Sequence, residues 1–425
     1  MQYVATRLLK KLPFPLDWLP KPAYIVGGAV RDALLEREKD QFDLDFVLPE
    51  NAVATAQNIA QQTQAGFVVL DEQRQIARVV FDQGTADFAQ QEGDTLEDDL
   101  KRRDFRINAI AYNPHTQDII DPLKGLKDLE RRELRMIDKS NFNDDPLRIL
   151  RGYRQAAQLG LTIKPKTRNT LRKLAPKLAQ VAAERVQQEL QYLLVSPETP
   201  WLYAAWEDRV LQVWLGKLPA ENVQQIEQIE HSAWLLSNIW TELGQQLRQP
   251  IGNTSTLLSL TKLASLVSPN PQTAQTQLET LKYSRVEVRT VTTLLEHLPR
   301  LLEITDHPLT PEEQYFLFQK VGDHFPALAV LTVAVAAHQD TLRETKMVGF
   351  IAPLVNTYLN PKSQISHPTP LLTGSDLIQD LALKPSPKIG KLLTQVQLAY
   401  ITGKVSSREE ALEYARRQVR LMGNS

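Results

Sequence analysis

The stretch that most constrains this chain is Gly27-Gly28-Ala29-Val30-Arg31-Asp32, followed shortly by Asp43-Leu44-Asp45. Tyr24–Val26, just before it, is a short apolar run with β-branched residues and reads as a buried strand. Two glycines then let the backbone turn tightly and approach a ligand closely. Ala29 to about Arg37 is rich in helix formers, so the spacing predicts a helix whose N-terminal N–H groups suit phosphate. Gln41–Leu48 reads as a second strand, and residues two apart in a strand share a face. Asp43 and Asp45 therefore project side by side. Carboxylates that close repel unless a cation sits between them, and oxygen ligands beside a phosphate favour magnesium. A Gly-Gly pair alone is commonly just a turn, and Asp-x-Asp alone is commonly a solvated strand end. The ordered set is far more specific than either.

Composition narrows the remaining classes. The 425 residues hold two to four domains, and 42% hydrophobic with 23% charged residues is ordinary for a globular protein. There is no cysteine, which excludes disulfides and thiolate zinc sites. A net charge of −1 means that any nucleic-acid surface is a local patch rather than a global field. No run of about 18 apolar residues is present. Arg7, Lys10 and Lys11 are followed by Pro13, Pro15, Asp17 and Pro20, which is no signal-peptide core, so a cytoplasmic location is expected.

Phe67–Leu70, Ile76–Phe81 and Thr85–Phe88 read as further strands and Ala52–Gln62 as a helix. From about Asn141 strand signals almost vanish, and Leu, Ala, Gln, Glu and Arg at helical spacing take over, broken by prolines. The expected class is α+β: a small mixed-sheet head over residues 1–138, then an all-helical neck (139–200), body (201–360) and tail (361–425). The histidines of the body lack metal-ligand spacing.

Two clusters carry further chemistry. Lys101-Arg102-Arg103-Asp104-Phe105 runs into Ile107-Asn108-Ala109-Ile110-Ala111, a cationic cluster that reads as entering an apolar helix. Arginine forks suit triphosphate oxygens, although a solvated basic helix start has the same composition. In Asn143-Asp144-Asp145-Pro146-Leu147-Arg148, Pro146 suits the first helical position and the preceding aspartate can cap it. Asp145 and Arg148 then lie three apart on one face, presenting an acceptor beside a forked donor. Cytosine and adenine each offer an amino donor next to a ring acceptor, whereas uracil and guanine mismatch. An ordinary ion pair would have the same spacing. The basic run Lys164–Arg168 with Arg172-Lys173 is a solvated face or a contact for RNA phosphates.

These motifs together resemble the bacterial-type (class II) tRNA nucleotidyltransferases and their poly(A) polymerase relatives, in the polymerase β superfamily. The resemblance covers residues 24–190 and again about 370–415. It implies a nucleotidyltransferase head on an elongated helical neck, body and tail, with the tail binding tRNA. It implies that Asp43 and Asp45 hold two metal ions, Mg2+ by preference, one activating the 3′-hydroxyl and the other steadying the triphosphate. It also implies that Asp87, in Thr85-Ala86-Asp87-Phe88, is the third carboxylate, although an ordinary surface-strand aspartate would look the same. Gly27, Gly28, Arg31, Arg103, Arg151 and Arg154 would contact the nucleotide. Asp145 and Arg148 would be the protein template that selects the base. The family's Glu-Asp-x-x-Arg stands here with Asp144 for Glu. Asp121–Leu129 matches a structural turn, and Ala183–Leu190 matches a motif that positions the preceding helix.

The same resemblance bears on what is added. Members that add C, C and A carry a flexible loop after the third head strand, beginning with Arg, and CC-adding members look deleted there. This chain passes from Phe88 through Ala89-Gln90-Gln91-Glu92-Gly93-Asp94-Thr95 straight into Leu96, with Gln90 and Gln91 where Arg is expected. The implied activity is addition of CC to the tRNA 3′ end from CTP, with the terminal A left to a separate A-adding enzyme. If the short loop reflects only drift, full CCA addition with ATP as well, or poly(A) synthesis, remains open.

Overall fold

The computed structural model describes residues 2–38, 41–196, 200–252, 254–303 and 307–423. It divides into two compact units, Met1–Trp214 and Leu215–Ser425.

In the first unit, helix α1 (Gln2–Leu9) precedes β1 (Tyr24–Val26), α2 (Gly28–Leu34) and β2 (Phe42–Leu48). Then come α3 (Ala52–Thr63), β3 (Gly66–Asp71), β4 (Ile76–Phe81) and β5 (Gly84–Gln90). These strands, with the short β6 (Ala111–Tyr112) and β7 (Ile119–Ile120), form a seven-stranded sheet in the order β3-β4-β5-β2-β1-β6-β7. Only β2 and β5 run parallel; the other neighbours are antiparallel.

The period-two alternation of β2, β4 and β5 decides which face is core. Leu44, Phe46, Leu48, Ala77, Val79, Ala86 and Phe88 are buried together on one face. Phe46 and Phe88 stack there with ring centroids 4.8 Å apart. Burying such side chains is worth about 1.5–3 kcal/mol each, which fixes the register, because a one-residue slip would turn them to the other side. The opposite face carries Asp43, Asp45, Thr85, Asp87, Arg78 and Val80. The pairing register sets these side by side, with Asp43 opposite Thr85, Asp45 opposite Asp87, and Arg78 opposite Asp87.

After β5, helix α4 (Leu96–Lys101) starts on Thr95, whose hydroxyl accepts the N–H of Asp98. The helix expected over Ile107–Ala111 is not formed. Arg106–Asn108 is one 3-10 turn, and Ala111 enters β6, pairing with Val26 of β1. Ala109, Ile110 and Ala111 are fully buried, so strand pairing in the core overrides the helical preference of alanine. Helix α5 (Gly125–Glu130) follows, and β8 (Glu133–Leu134) pairs with β9 (Thr162–Ile163). Between those strands lie the short α6 (Asn141–Asp144) and α7 (Leu147–Leu159). Gly160, with φ of 62°, ends α7 in the left-handed conformation that favours glycine. Helices α8 (Pro165–Leu174) and α9 (Ala183–Val195) come next, and α9 packs on α7.

The second unit is helical, with one two-stranded hairpin at Pro250–Ile251 and Ser255–Thr256. Capping boxes at Thr256, Thr310 and Thr373 start three of its helices. Pro311–Gln339 is long and apolar enough to cross a membrane, with a mean hydropathy of 1.3, yet 67% of its apolar window is buried in the protein. It includes the core helix Phe325–Gln339, flanked by Ala220–Ile239 and Thr341–Leu359. A smaller core of Leu377, Leu392, Val396 and Ala411 joins the last three helices.

Candidate active site

A cleft of about 450 Å³ opens on the polar face of the first unit's sheet. Gly27, Gly28, Arg31, Asp43, Asp45, Asp87, Arg103, Asp145, Arg148, Arg151 and Arg154, the residues singled out in the sequence, all line it.

The turn after β1 explains the glycine. Gly27 has φ of +71°, and a Cβ there would lie 3.1 Å from Asp45 Oδ2 and 3.4 Å from Arg103 Nη1. The turn thus presses backbone against both a carboxylate and a guanidinium. Helix α2 is shorter than the helix formers suggest. It stops at Leu34, and Glu36 takes a left-handed φ of 57°.

Asp43 is exposed and accepts the Thr85 hydroxyl at 3.0 Å. Asp45 is partly shielded and accepts no hydrogen bond among the described residues. Burial, with Asp43 and more weakly Asp87 adding to it against Arg103 and Arg151, pushes its carboxyl up to about 6. Asp87 stands in register beside Asp45, but both its oxygens receive Arg78 at 2.7 Å. Its carboxylate is therefore already neutralised within the sheet.

The cationic wall faces these acids from the β1 side. Arg31 donates to Asp32 and, at 2.7 Å, to Asn108 Oδ1. Arg103 donates one nitrogen to Asp99 at 3.2 Å, while its Nε is buried without a partner. Arg151 donates to Asp104 at 3.0 Å and approaches Glu189 at 3.5 Å. Arg154 pairs with Glu189 at 2.5 Å and donates to Gln158 at 2.8 Å. Asp104 is the hub beneath. Its burial opposes ionisation, but Arg151, the Asn108 amide and the Phe105 N–H hold its carboxyl at about 2.

At the other end, Asp145 lies just before α7 with extended backbone. One oxygen accepts the Leu147 N–H at 3.2 Å and the other accepts Arg185 at 2.9 Å. Arg148, on the first turn of α7, donates to the Arg102 carbonyl at 2.6 Å and the Asn141 carbonyl at 3.0 Å. The Arg148 N–H donates to the Asp145 carbonyl at 3.2 Å, but the two side chains are not paired with each other; each is held by other groups and both line the cleft.

Arg78, Arg185, Asp104 and Glu189 also belong to the cleft or its support and were not among the expected residues. Arg78 had one signal, its place mid-strand in β4 where the alternation calls for an outward side chain. Arg185 and Glu189 sit in the Ala183–Leu190 motif, and only the packing of α9 on α7 brings them to the site.

Among the described residues no group of three or more His, Asp or Glu side chains is placed to hold a metal by itself. The donor set nevertheless fits magnesium, which takes one or two carboxylates plus substrate phosphates and waters. Asp43 and Asp45 supply two adjacent carboxylates, and the ionised Asp45 that burial and then Asp43 disfavour is one that a cation would favour.

Comparison with known proteins places this geometry. Residues 23–135 match the poly A polymerase head domain, 160–220 the RNA- and SrmB-binding site of polymerase A, and 253–415 tRNA nucleotidyltransferase domain 2. The chain is 46% identical over 410 residues to a CC-adding tRNA nucleotidyltransferase of Synechocystis, covering 96% of both chains. This chain belongs to the tRNA nucleotidyltransferase family. The family includes members of another specificity: an A-adding tRNA nucleotidyltransferase of Deinococcus radiodurans is 29% identical, over 95% of this chain and 97% of that one. The fold is that of a CCA-adding enzyme solved with CTP, with a TM-score of 0.69, 21% identity and coverage of 94% of this chain and 91% of that one.

Proposed function

We propose that this nucleotidyltransferase adds two cytidines to the 3′ end of tRNA from CTP and stops there, leaving the terminal adenosine to a separate enzyme. The observation that carries the CC reading is the linker between β5 and α4. It is short and it is fastened. The Gln91 N–H donates to the Leu48 carbonyl at 2.7 Å, and the Glu92 N–H to Asp99 at 3.2 Å. The Glu92 carboxylate pairs with Arg102 at 2.8 Å. A purine is larger than a pyrimidine, so a pocket that switches from C to A must rearrange, and a linker pinned in this way supplies no lever for that. The near-full-length likeness to a CC-adding enzyme supports the same reading.

In this mechanism Arg31, Arg103, Arg151 and Arg154 hold the triphosphate, and the unpartnered Arg103 Nε is a donor waiting for a phosphate oxygen. Asp145 accepts the cytosine amino group and Arg148 donates to the neighbouring ring acceptors. Asp43 and Asp45 would hold Mg2+, which would supply neutralisation of the triphosphate charge and a more acidic attacking hydroxyl. The 3′ oxygen of the RNA bonds to the α-phosphorus of CTP, its proton passes to water, and the bond from the α-phosphorus to the bridging oxygen breaks, releasing pyrophosphate. The protein's part is to align those groups and exclude the wrong base.

The test is incubation of the purified protein with tRNA lacking its CCA end and with tRNA ending in CC, offering CTP, ATP or both, and sizing the products. Two residues are expected from CTP and none from ATP on the CC-ending tRNA. Efficient conversion of CC to CCA refutes the CC reading and restores full CCA addition. Long A tracts from ATP alone would instead make it a poly(A) polymerase.

A further inference from the structure

The polar face of the sheet does not end at the carboxylates. Two register rows cross it. One runs Asp45–Asp87–Arg78–Val68 and the other Asp43–Thr85–Val80–Gly66. Their outer ends are apolar and open: Val68 is 50% exposed and Val80 43%. The other face is covered by α3 over β4 and β5, where Ala77, Val79, Ala86 and Phe88 are buried, while on the edge strand β3 Val69 is 43% exposed. Val68 on the edge strand β3 and Val80 beside it on β4 leave adjoining apolar surface on the same face as the carboxylates, and adjoining exposed apolar side chains next to a polar cleft mark a contact surface.

Reaction geometry identifies one. Attacking and leaving oxygens lie roughly in line across the transferred phosphorus. The arginines that suit the pyrophosphate end, Arg31, Arg103, Arg151 and Arg154, lie on the β1, α2 and α7 side of Asp45. The acceptor strand must then come over β5, β4 and β3. Strands lie about 4.8 Å apart, so Val80, two strands from Asp43, is about 10 Å from it, within reach of the base whose 3′-hydroxyl sits at the carboxylates. Arg78 cannot make this a second triphosphate site, because its charge is spent on Asp87. What remains is a nearly neutral aliphatic strip, which suits the face of a base better than a phosphate. Contact with a base face is also tolerant of base identity. An enzyme that extends one terminus and then extends the cytidine it has just added needs that tolerance.

We propose that Val80 and Val68 form the platform on which the terminal base of the acceptor RNA rests. The proposal rests on the reading that the chain extends tRNA. The test uses the full chain carrying Val68→Ser, Val80→Ser or both, with Val80→Thr as a nearly isosteric check. Rates of C addition are measured as tRNA and CTP are varied separately. Affinity is measured for tRNA ending just before CCA and for the same tRNA one nucleotide shorter. The double variant is expected to raise KM for tRNA about 5- to 10-fold, as loss of the apolar contact area of two valines would, and to leave KM for CTP and the melting midpoint unchanged. Its affinity for the shortened RNA should equal the parent's. An unchanged KM for tRNA, or an equal loss on the shortened RNA, overturns the platform. So does a parent that is dimeric and a variant that is monomeric in sedimentation, which would make the strip an interface between copies. A parent that adds no C to any tRNA instead sinks the functional reading on which the proposal stands.

Discussion

Replacing Asp45 by asparagine should make the metal-free protein more stable at neutral pH while abolishing nucleotide addition. The folded structure holds the Asp45 carboxyl up at about 6 from an ordinary 3.8. Each unit of such a shift is worth about 1.4 kcal/mol, so ionised Asp45 costs the folded state at most about 3 kcal/mol. The side chain is only partly shielded, and screening reduces this to about 1–2 kcal/mol. The sign follows from linkage. Because the folded value lies above the unfolded one, the cost is present in full above pH 6 and fades as pH falls toward 3.8. The assay is thermal unfolding in EDTA between pH 5 and 7.5, on the parent and on Asp45→Asn. At pH 7.5 the variant should melt about 2–6 °C higher, and the gap should shrink toward pH 5. Saturating magnesium should raise the parent more than the variant, since only the parent retains both carboxylates. A variant that melts at or below the parent at pH 7.5 without metal would refute the claim that the site stores charge repulsion for a cation.

Asp43→Ala should abolish addition without lowering the melting midpoint or changing the far-ultraviolet circular dichroism, since it removes one source of the repulsion on Asp45; full activity in this variant would remove the carboxylate pair from the mechanism. Arg148→Ala should relax base choice more than it weakens triphosphate binding, because a bidentate base contact is worth roughly 1–3 kcal/mol of discrimination and the phosphates are held elsewhere. Competition of UTP and GTP against CTP measures this, and an unchanged preference would end the template role. Glu92→Gln should leave stability within about 0.5 kcal/mol, since its pair with Arg102 is largely solvated. It should nevertheless lower the C-over-A ratio of kcat/KM about 2- to 5-fold, because Arg148 hangs on the Arg102 carbonyl. A ratio equal to the parent's would uncouple the linker from the base pocket.

Local signals made most of the head legible. Alternation in β2, β4 and β5 and the Gly-Gly turn give the strands, the polar face and the paired Asp43 and Asp45 directly. Pro146 gives the start of α7, and with it the placement of Arg148, Arg151 and Arg154 along one helix. What failed depends on distant partners. Ala109-Ile110-Ala111 favours a helix by composition, and only the pairing of Ala111 with Val26 makes it a strand. The Arg78–Asp87 pair is invisible until β4 and β5 are in register. Arg185 reaches Asp145 across 40 positions of sequence, which no spacing rule anticipates. The i,i+3 spacing of Asp145 and Arg148 left an ordinary ion pair open as the alternative to a shared base-reading edge; Asp145 lies outside the helix, and the two side chains take separate partners while both line the cleft.

Those separate partners change how the cleft works. Free arginines would spread their side chains through water and lose entropy on gripping a triphosphate. Here Arg31, Arg151 and Arg154 are already seated on Asn108, Asp104 and Glu189. The cost of ordering them is met during folding, where buried Asp104 is held ionised at about 2 and gives Arg151 a fixed counter-charge. Truncating such a buried partner typically costs about 3–5 kcal/mol because it strands the remaining charge. Loss of Asp104 should therefore show first as a less stable head and weaker CTP binding, whereas loss of Asp43 spares the fold and stops the chemistry. The same cleft thus contains two kinds of acid. Those beneath the arginines buy rigidity with ordinary ion pairs. On the sheet, Asp87 is taken by Arg78, while Asp43 and Asp45 are left short of cationic partners, so that the cation and substrate complete them.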